Sequence, residues 1–321
     1  MMIKIDKLAI EKSFSIFKNM NSSKSISTEM VKEYYETPGM IFLKKHLKNY
    51  GGLEFTEELL LHLLEDINLN KQILSKDNIF LKSMKLGLSY VDIVKEDFSK
   101  LHFNDVIEKA INLADIYLPK KISGDSIIYL LYGIRGTGIT LRSEIAIDLC
   151  DEYLNNNGHI NIERLINLIA HELHHIEVNK LLNKRKQNED NLKKQILIDF
   201  VGELMSEGVA YYYLPSPYDK EGMLNIKWNN NIRNLDSIMF ELNNYVEKIL
   251  DGQIVDLNDL GHLFNEGLKG YTAGYTMVKL IDKTFGKDKV INCLEDCFMF
   301  IELYNQSLKK LNCRYPKIIL E

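Results

Sequence analysis

Residues 171–175 read His-Glu-Leu-His-His, an H-E-x-x-H pattern with His171 and His175 at its ends and Glu172 in second place. The chemistry of metal-assisted hydrolysis explains the spacing. Side chains at i and i+4 share one face of an α-helix, so two imidazole nitrogens can converge on a single Zn²⁺. Glu172 is rotated from His171 by about 100°. There it misses the metal ligands yet reaches a water held beside them, which is the place of a general base. The surroundings predict the helix that this requires. Asn161 can cap a helix over residues 162–182. On it Ile162, Leu165, Ile166, Ile169, Leu173 and Ile176 gather in one apolar stripe beside the face carrying both histidines. His174 falls about 300° from His171 and reads as a packing residue or a support to the ligands rather than a ligand.

Zinc needs a third protein ligand. Residues 202–211 read Gly-Glu-Leu-Met-Ser-Glu-Gly-Val-Ala-Tyr, on a second helix expected to start near Leu192. Glu203 and Glu207 stand four apart and share a face. One can ligate while the other accepts an imidazole N–H and orients the ring. Spacing alone leaves the choice open.

The pair of segments, His171-Glu172-x-x-His175 and Ser206-Glu207-Gly208-Val209-Ala210, resembles the gluzincin metallopeptidases. It is similar to bacterial zinc-dependent peptidases and, distantly, to the zinc aminopeptidases. The resemblance implies a zincin-like catalytic unit that binds Zn²⁺ through His171, His175 and Glu207, with Glu203 as the alternative or supporting carboxylate. Tyr271-Thr272-Ala273-Gly274 is similar to an aminopeptidase Tyr-x-x-Gly, which implies a Tyr271 hydroxyl aimed at the developing oxyanion, with Tyr275 as second candidate. No Gly-x-Met-Glu-Asn exopeptidase motif precedes the helix; residues 133–138 occupy its approximate place without a carboxylate. The implied function is peptide-bond hydrolysis by a zinc-activated water with Glu172 as base and then acid, on a peptide or protein substrate. Two alternatives stand beside it: a catalytically inactive zinc-stabilised protein that binds peptides or a partner, and a zinc hydrolase of non-peptide amides.

The elements that must position these groups are mostly helices. Residues 1–118 read as a helical N-terminal subdomain. Ser27-Thr28-Glu29 opens a segment, Pro38-Gly39 breaks it, Thr56 caps another, and a further helix ends before Pro119. Residues 125–149 change texture. Ile127–Tyr132 is a β-branched and aromatic run, and Ile139, Leu141, Ile145, Ile147 and Leu149 alternate with period two. A small antiparallel sheet is expected there. Beyond Gly158 the pattern is helical again, with breaks at Pro215-Ser216-Pro217 and at Gly252, Gly261, Gly270 and Gly286; the charged stretch 183–190 reads as a solvated loop. The expected fold class is α+β and predominantly helical. Residues 119–321 form the catalytic unit, composed of the sheet, the active-site helix and a helical C-terminal lobe over 191–321.

Composition removes other classes. The 321 residues carry a formal net charge of −5 and only six arginines, poor provision for a nucleic-acid partner. No uncharged apolar run reaches the roughly 18–20 residues that span a bilayer. Lys4, Asp6 and Lys7 interrupt the place where a secretory signal needs apolar residues. The four cysteines make no disulfide framework, and the expected location is the cytoplasm. Gly133-x-x-Gly136-x-Gly138 lacks the Gly-Lys-Ser/Thr ending of a phosphate loop and runs into a strand. Cys293 and Cys297 are expected buried and reduced within one helix. Tyr211, Tyr212 and Tyr213 read as core filling, and His46, His62, His102, His159 and His262 receive no role.

Overall fold

Short polar side chains start the helices where the sequence offers them. In the computed structural model, which describes residues 2–68, 79–135, 138–150, 154–214, 223–254, 263–264 and 268–320, thirteen helices and four strands are seen. Strand β1 (Ile3–Asp6) leads into α1 (Leu8–Asn21). Ser27 caps α2 (Thr28–Tyr35), its hydroxyl accepting from the Met30 N–H at 3.2 Å. Thr37 caps α3 (Pro38–Gly51), so Pro38 ends one helix and occupies the first turn of the next, where its missing N–H costs nothing. Thr56 caps α4 (Glu57–Asn68), and α5 (Ile79–Lys100) and α6 (Phe103–Asp115) follow. The later helices are α7 (Ile162–Gln187), α8 (Leu192–Tyr213), α9 (Met223–Arg233), α10 (Leu235–Asp251), α11 (Lys269–Phe285), α12 (Lys287–Cys293) and α13 (Cys297–Lys310).

The predominantly helical α+β architecture is the expected one. Strands β2 (Ser126–Leu131), β3 (Gly138–Leu141) and β4 (Glu144–Asp148) fall where the β-branched runs stand. The sheet itself is mixed rather than antiparallel. Its order is β1-β2-β4-β3, with β1 and β4 both parallel to β2 and only β3 antiparallel to β4. Two pairings make it so: β4 runs parallel to β2, and β1, a four-residue strand from the N-terminal segment expected to be wholly helical, joins β2 in parallel too, pairing Ile3 with Ser126 and Ile5 with Ile128. β3 is the outermost strand on the other side.

Two further expectations are corrected. Helix α7 continues to Gln187, so residues 183–187 are helical and not loop. Lys184, Arg185 and Lys186 sit in its last turn, where cations complement the helix dipole. Arg185 also pairs with Asp296 at 2.9 Å and lies over the Phe298 ring, and Lys186 pairs with Asp199. Cys293 and Cys297 flank a helix break, because Asp296 caps α13 through the Phe298 and Met299 N–H groups. Both thiols are buried and free, and burial pushes each up to about 12. Gly136, Thr137, Pro215, Ser216, Pro217, Gly261 and His262 lie outside the described residues.

The chain forms two compact units, Met1–Ala110 with Ser123–Glu172, and Ile111–Ile122 with Leu173–Glu321. In the first, the fully buried Tyr132 ring meets Phe14 at 5.0 Å and Phe17 at 5.8 Å, and its hydroxyl donates to the Gly87 carbonyl at 2.7 Å. The buried Asp148 carboxylate accepts the N–H groups of Gly133 and Ile134 at 2.7 Å each, fixing the exit from β2. In the second, α8 is buried on nearly every side and packs against α11. Among the described residues no helix is long and apolar enough to cross a membrane.

Candidate metal centre

Asn161 starts α7 as expected, its side chain accepting the Arg164 N–H at 3.1 Å. Of the expected apolar stripe Leu165, Ile169, Leu173 and Ile176 are buried, with Leu168 beside them, whereas Ile162 in the first turn is exposed and Ile166 half-buried. Burial on this helix extends to polar groups: His171 and Glu172 are 5% and 7% exposed, and His174 is fully buried. Such groups stay in a core only where partners compensate their desolvation. His175 Nε2 lies 3.5 Å from Glu207 Oε2, and both side chains are largely covered. One donor atom each from His171, His175 and Glu207 can be chosen so that all three lie within 4.8 Å of one another. Among the described residues this is the group able to hold a metal ion. Neither His174 nor Glu203 belongs to it; the His174 ring stands edge-on to His175, 6.1 Å away.

Glu207 owes its place to its neighbour. A Cβ on Gly208 would sit 2.4 Å from the Gly274 backbone, and one on Gly274 would sit 2.1 Å from the Leu204 carbonyl oxygen. α8 and α11 therefore cross backbone against backbone, which only glycine at both positions permits. Glu203, one turn before Glu207, is pushed up to about 7, first by burial and then by the Glu207 charge.

Donor chemistry and spacing fit zinc. Two imidazoles and a carboxylate are its usual ligands, and tetrahedral bonds of about 2.0–2.1 Å put ligand atoms roughly 3.3 Å apart, close to the 3.5 Å between His175 and Glu207. The family comparison agrees. A family model described as "Putative zinc dependent peptidase (DUF5700)" matches residues 31–313. The chain belongs to this family. No curated protein and no solved structure matches it.

In this member of the family two supporting residues escaped the sequence reading. Ser206 Oγ lies 2.8 Å from His175 Nδ1. A metal ion held at Nε2 would leave the proton on Nδ1, which would then donate to that hydroxyl and hold the tautomer and ring plane. A hydroxyl next to the expected ligand Glu207 was the available signal. Thr140, on β3, donates from Oγ1 to Glu172 Oε2. Its only sequence signal was its alternation with Ile139 and Leu141.

Tyr271 and Tyr275 stand on α11. Tyr271 stacks on Tyr211, one turn beyond Glu207 on α8, with ring centroids 5.3 Å apart. Tyr275 meets Trp228 and Tyr212 edge to face, at 5.4 Å and 5.5 Å. Tyr211, Tyr212 and Tyr213 thus belong to an aromatic cluster, and Tyr213 also stacks on Tyr117. His46, expected to be without a role, lies 3.3 Å from an Arg135 guanidinium nitrogen through Nδ1.

Proposed function

We propose that this chain is a gluzincin-type zinc peptidase in which His171, His175 and Glu207 hold the ion and Glu172 is the general base and then the general acid. The observation that carries the reading is the convergence of those three donors beside a buried glutamate on the same helical turn. Bound zinc supplies Lewis acidity that makes water a nucleophile near neutral pH. Glu172 takes the proton of the attacking water and later delivers it to the leaving amine. Ser206 keeps the His175 ring in its ligating tautomer. The Tyr271 hydroxyl donates to the oxyanion of the substrate as it forms, with Tyr275 next to it in sequence reach. β3, the outer strand, offers backbone groups to which an extended peptide can add. The reading includes a cytoplasmic location, where free thiols persist.

Metal analysis and peptide hydrolysis test it together. Purified protein is expected to hold about one zinc per chain, absent from Glu207→Ala and retained in Glu203→Ala. Glu172→Gln is expected to keep the metal and lose about 10³-fold in turnover. Tyr271→Phe keeps the stack on Tyr211 and is expected to lose about 10²-fold. Full activity in Glu172→Gln, or zinc retained in Glu207→Ala, overturns the assignment. Zinc without hydrolysis of any peptide turns the site into one for structure or binding.

A further inference from the structure

We infer that β3 is a seat for the general base: Gly138 clears space for one carboxylate oxygen of Glu172, and Thr140 holds the other. The inference rests on Glu172 being that base, and Thr140 is a positioning residue for it.

Residues 138 and 140 point to the same side of the strand, opposite to the buried Ile139. On that side a Cβ at Gly138 would come within 2.7 Å of Glu172 Oε1 and 2.8 Å of Leu168 Cδ1. Any residue but glycine would press on the carboxylate. Two residues on, Thr140 donates to Oε2. Strand alternation, a glycine and a β-branched alcohol together fix where the carboxylate lies, and threonine's restricted χ1 keeps the donor aimed.

The chemistry favours a hydroxyl at this point over other donors. A base must be held in both of its protonation states. A hydroxyl donates to the ionised carboxylate and can accept from the protonated one, which a lysine or a backbone amide cannot do. A base displaced by an ångström loses much of its rate advantage, while substrate affinity, set elsewhere, stays.

The test uses the zinc-loaded full chain and three variants, Thr140→Val, Thr140→Ser and Glu172→Gln. Activity is measured on the best-cleaved member of a quenched fluorescent peptide library. Thr140→Val keeps the shape and is expected to lower kcat by about 30- to 100-fold with KM within about threefold. Thr140→Ser is expected to restore kcat to within about threefold, with zinc content and melting temperature unchanged in both. A second readout is calorimetric binding of acetohydroxamate, a zinc chelator whose acidic proton needs a nearby base. Its Kd is expected to rise about tenfold in Thr140→Val and to stay within about twofold in Thr140→Ser. Unchanged kcat and Kd in Thr140→Val overturn the proposal, as does Thr140→Ser failing as badly as valine. A wild-type chain that binds zinc but cleaves nothing defeats the peptidase reading alone, and the acetohydroxamate series then decides Thr140. A chain that takes up no zinc sinks both.

Discussion

Glycine does opposite work at two places beside the candidate centre. At Gly138 the missing Cβ leaves room for the ends of two side chains, Glu172 and Leu168. At Gly208 and Gly274 it leaves room for main chain, the Gly274 carbonyl in one direction and the Leu204 carbonyl in the other. Side-chain ends can rotate aside at small cost, whereas two helix backbones in contact cannot yield without separating. On the proposed mechanism the first glycine tunes chemistry, while the second pair sets the α8–α11 packing beside Glu207. Substitution separates the two roles.

The largest effect is expected at the crossing. Gly208→Ala places a methyl 2.4 Å from the Gly274 backbone. The helices must part, and the loss is about 3 kcal/mol, at the upper end for an overpacked core. Thermal melting is expected to fall by several degrees, and zinc content to fall with it because Glu207 moves with α8. A Gly208→Ala protein with wild-type melting and full zinc would show that the crossing is not what positions Glu207.

Gly138→Ala gives the contrasting profile. Its methyl meets the Glu172 carboxylate and the Leu168 methyl, both movable. Turnover is expected to fall about 30-fold, while stability changes by less than about 1 kcal/mol and zinc stays bound. Melting curves, zinc analysis and kcat on one peptide check this. A Gly138→Ala variant that melts as early as Gly208→Ala would collapse the distinction between the two glycines.

What the sequence revealed follows the same division. The two histidines spaced on one helix, the helix caps at Ser27, Thr56 and Asn161, and the β-branched runs of β2 and β4 were legible because each is a local signal with a local cause. Strand β1 was not. Ile3–Asp6 is four residues with a lysine and an aspartate, too short for alternation to register, and its partner stands more than a hundred residues away at Ser126–Tyr129. Pairing at that range adds a parallel strand that no local pattern announces. Residues 183–187 read as loop because charge was weighed without partners, yet the helix dipole, Asp296 and Asp199 stabilise those cations in helical form. Glu203 and Glu207 could not be told apart by spacing, since they share a helix face; in the structure Glu207, 3.5 Å from His175, belongs to the group of three donors able to hold a metal, and Glu203 does not. Thr140 and Ser206 carried no signal of these contacts, because a hydroxyl that orients another side chain looks in sequence like any other polar residue.

The smallest effect concerns how the Glu172 side is anchored ahead of β3. Gly133 and Ile134 are fixed by Asp148, and Arg135, next in line, lies against His46 of α3. Burial first, and then the Arg135 charge, hold His46 down at about 4, against an ordinary 6.5. A histidine with a depressed folded pKa is neutral in the native state and takes up its proton more readily when unfolded. Its contribution to stability is therefore complete above pH 6.5 and is lost as pH falls towards about 4. Partial exposure reduces the effect to about 1–2 kcal/mol over that window. Measured on metal-free protein, so that release of zinc does not enter, wild type is expected to lose that much more stability between pH 6.5 and 4 than His46→Gln, whose amide can still accept from Arg135. Parallel pH profiles for wild type and His46→Gln would remove His46 from the anchor and leave Asp148 to hold the approach to β3 alone.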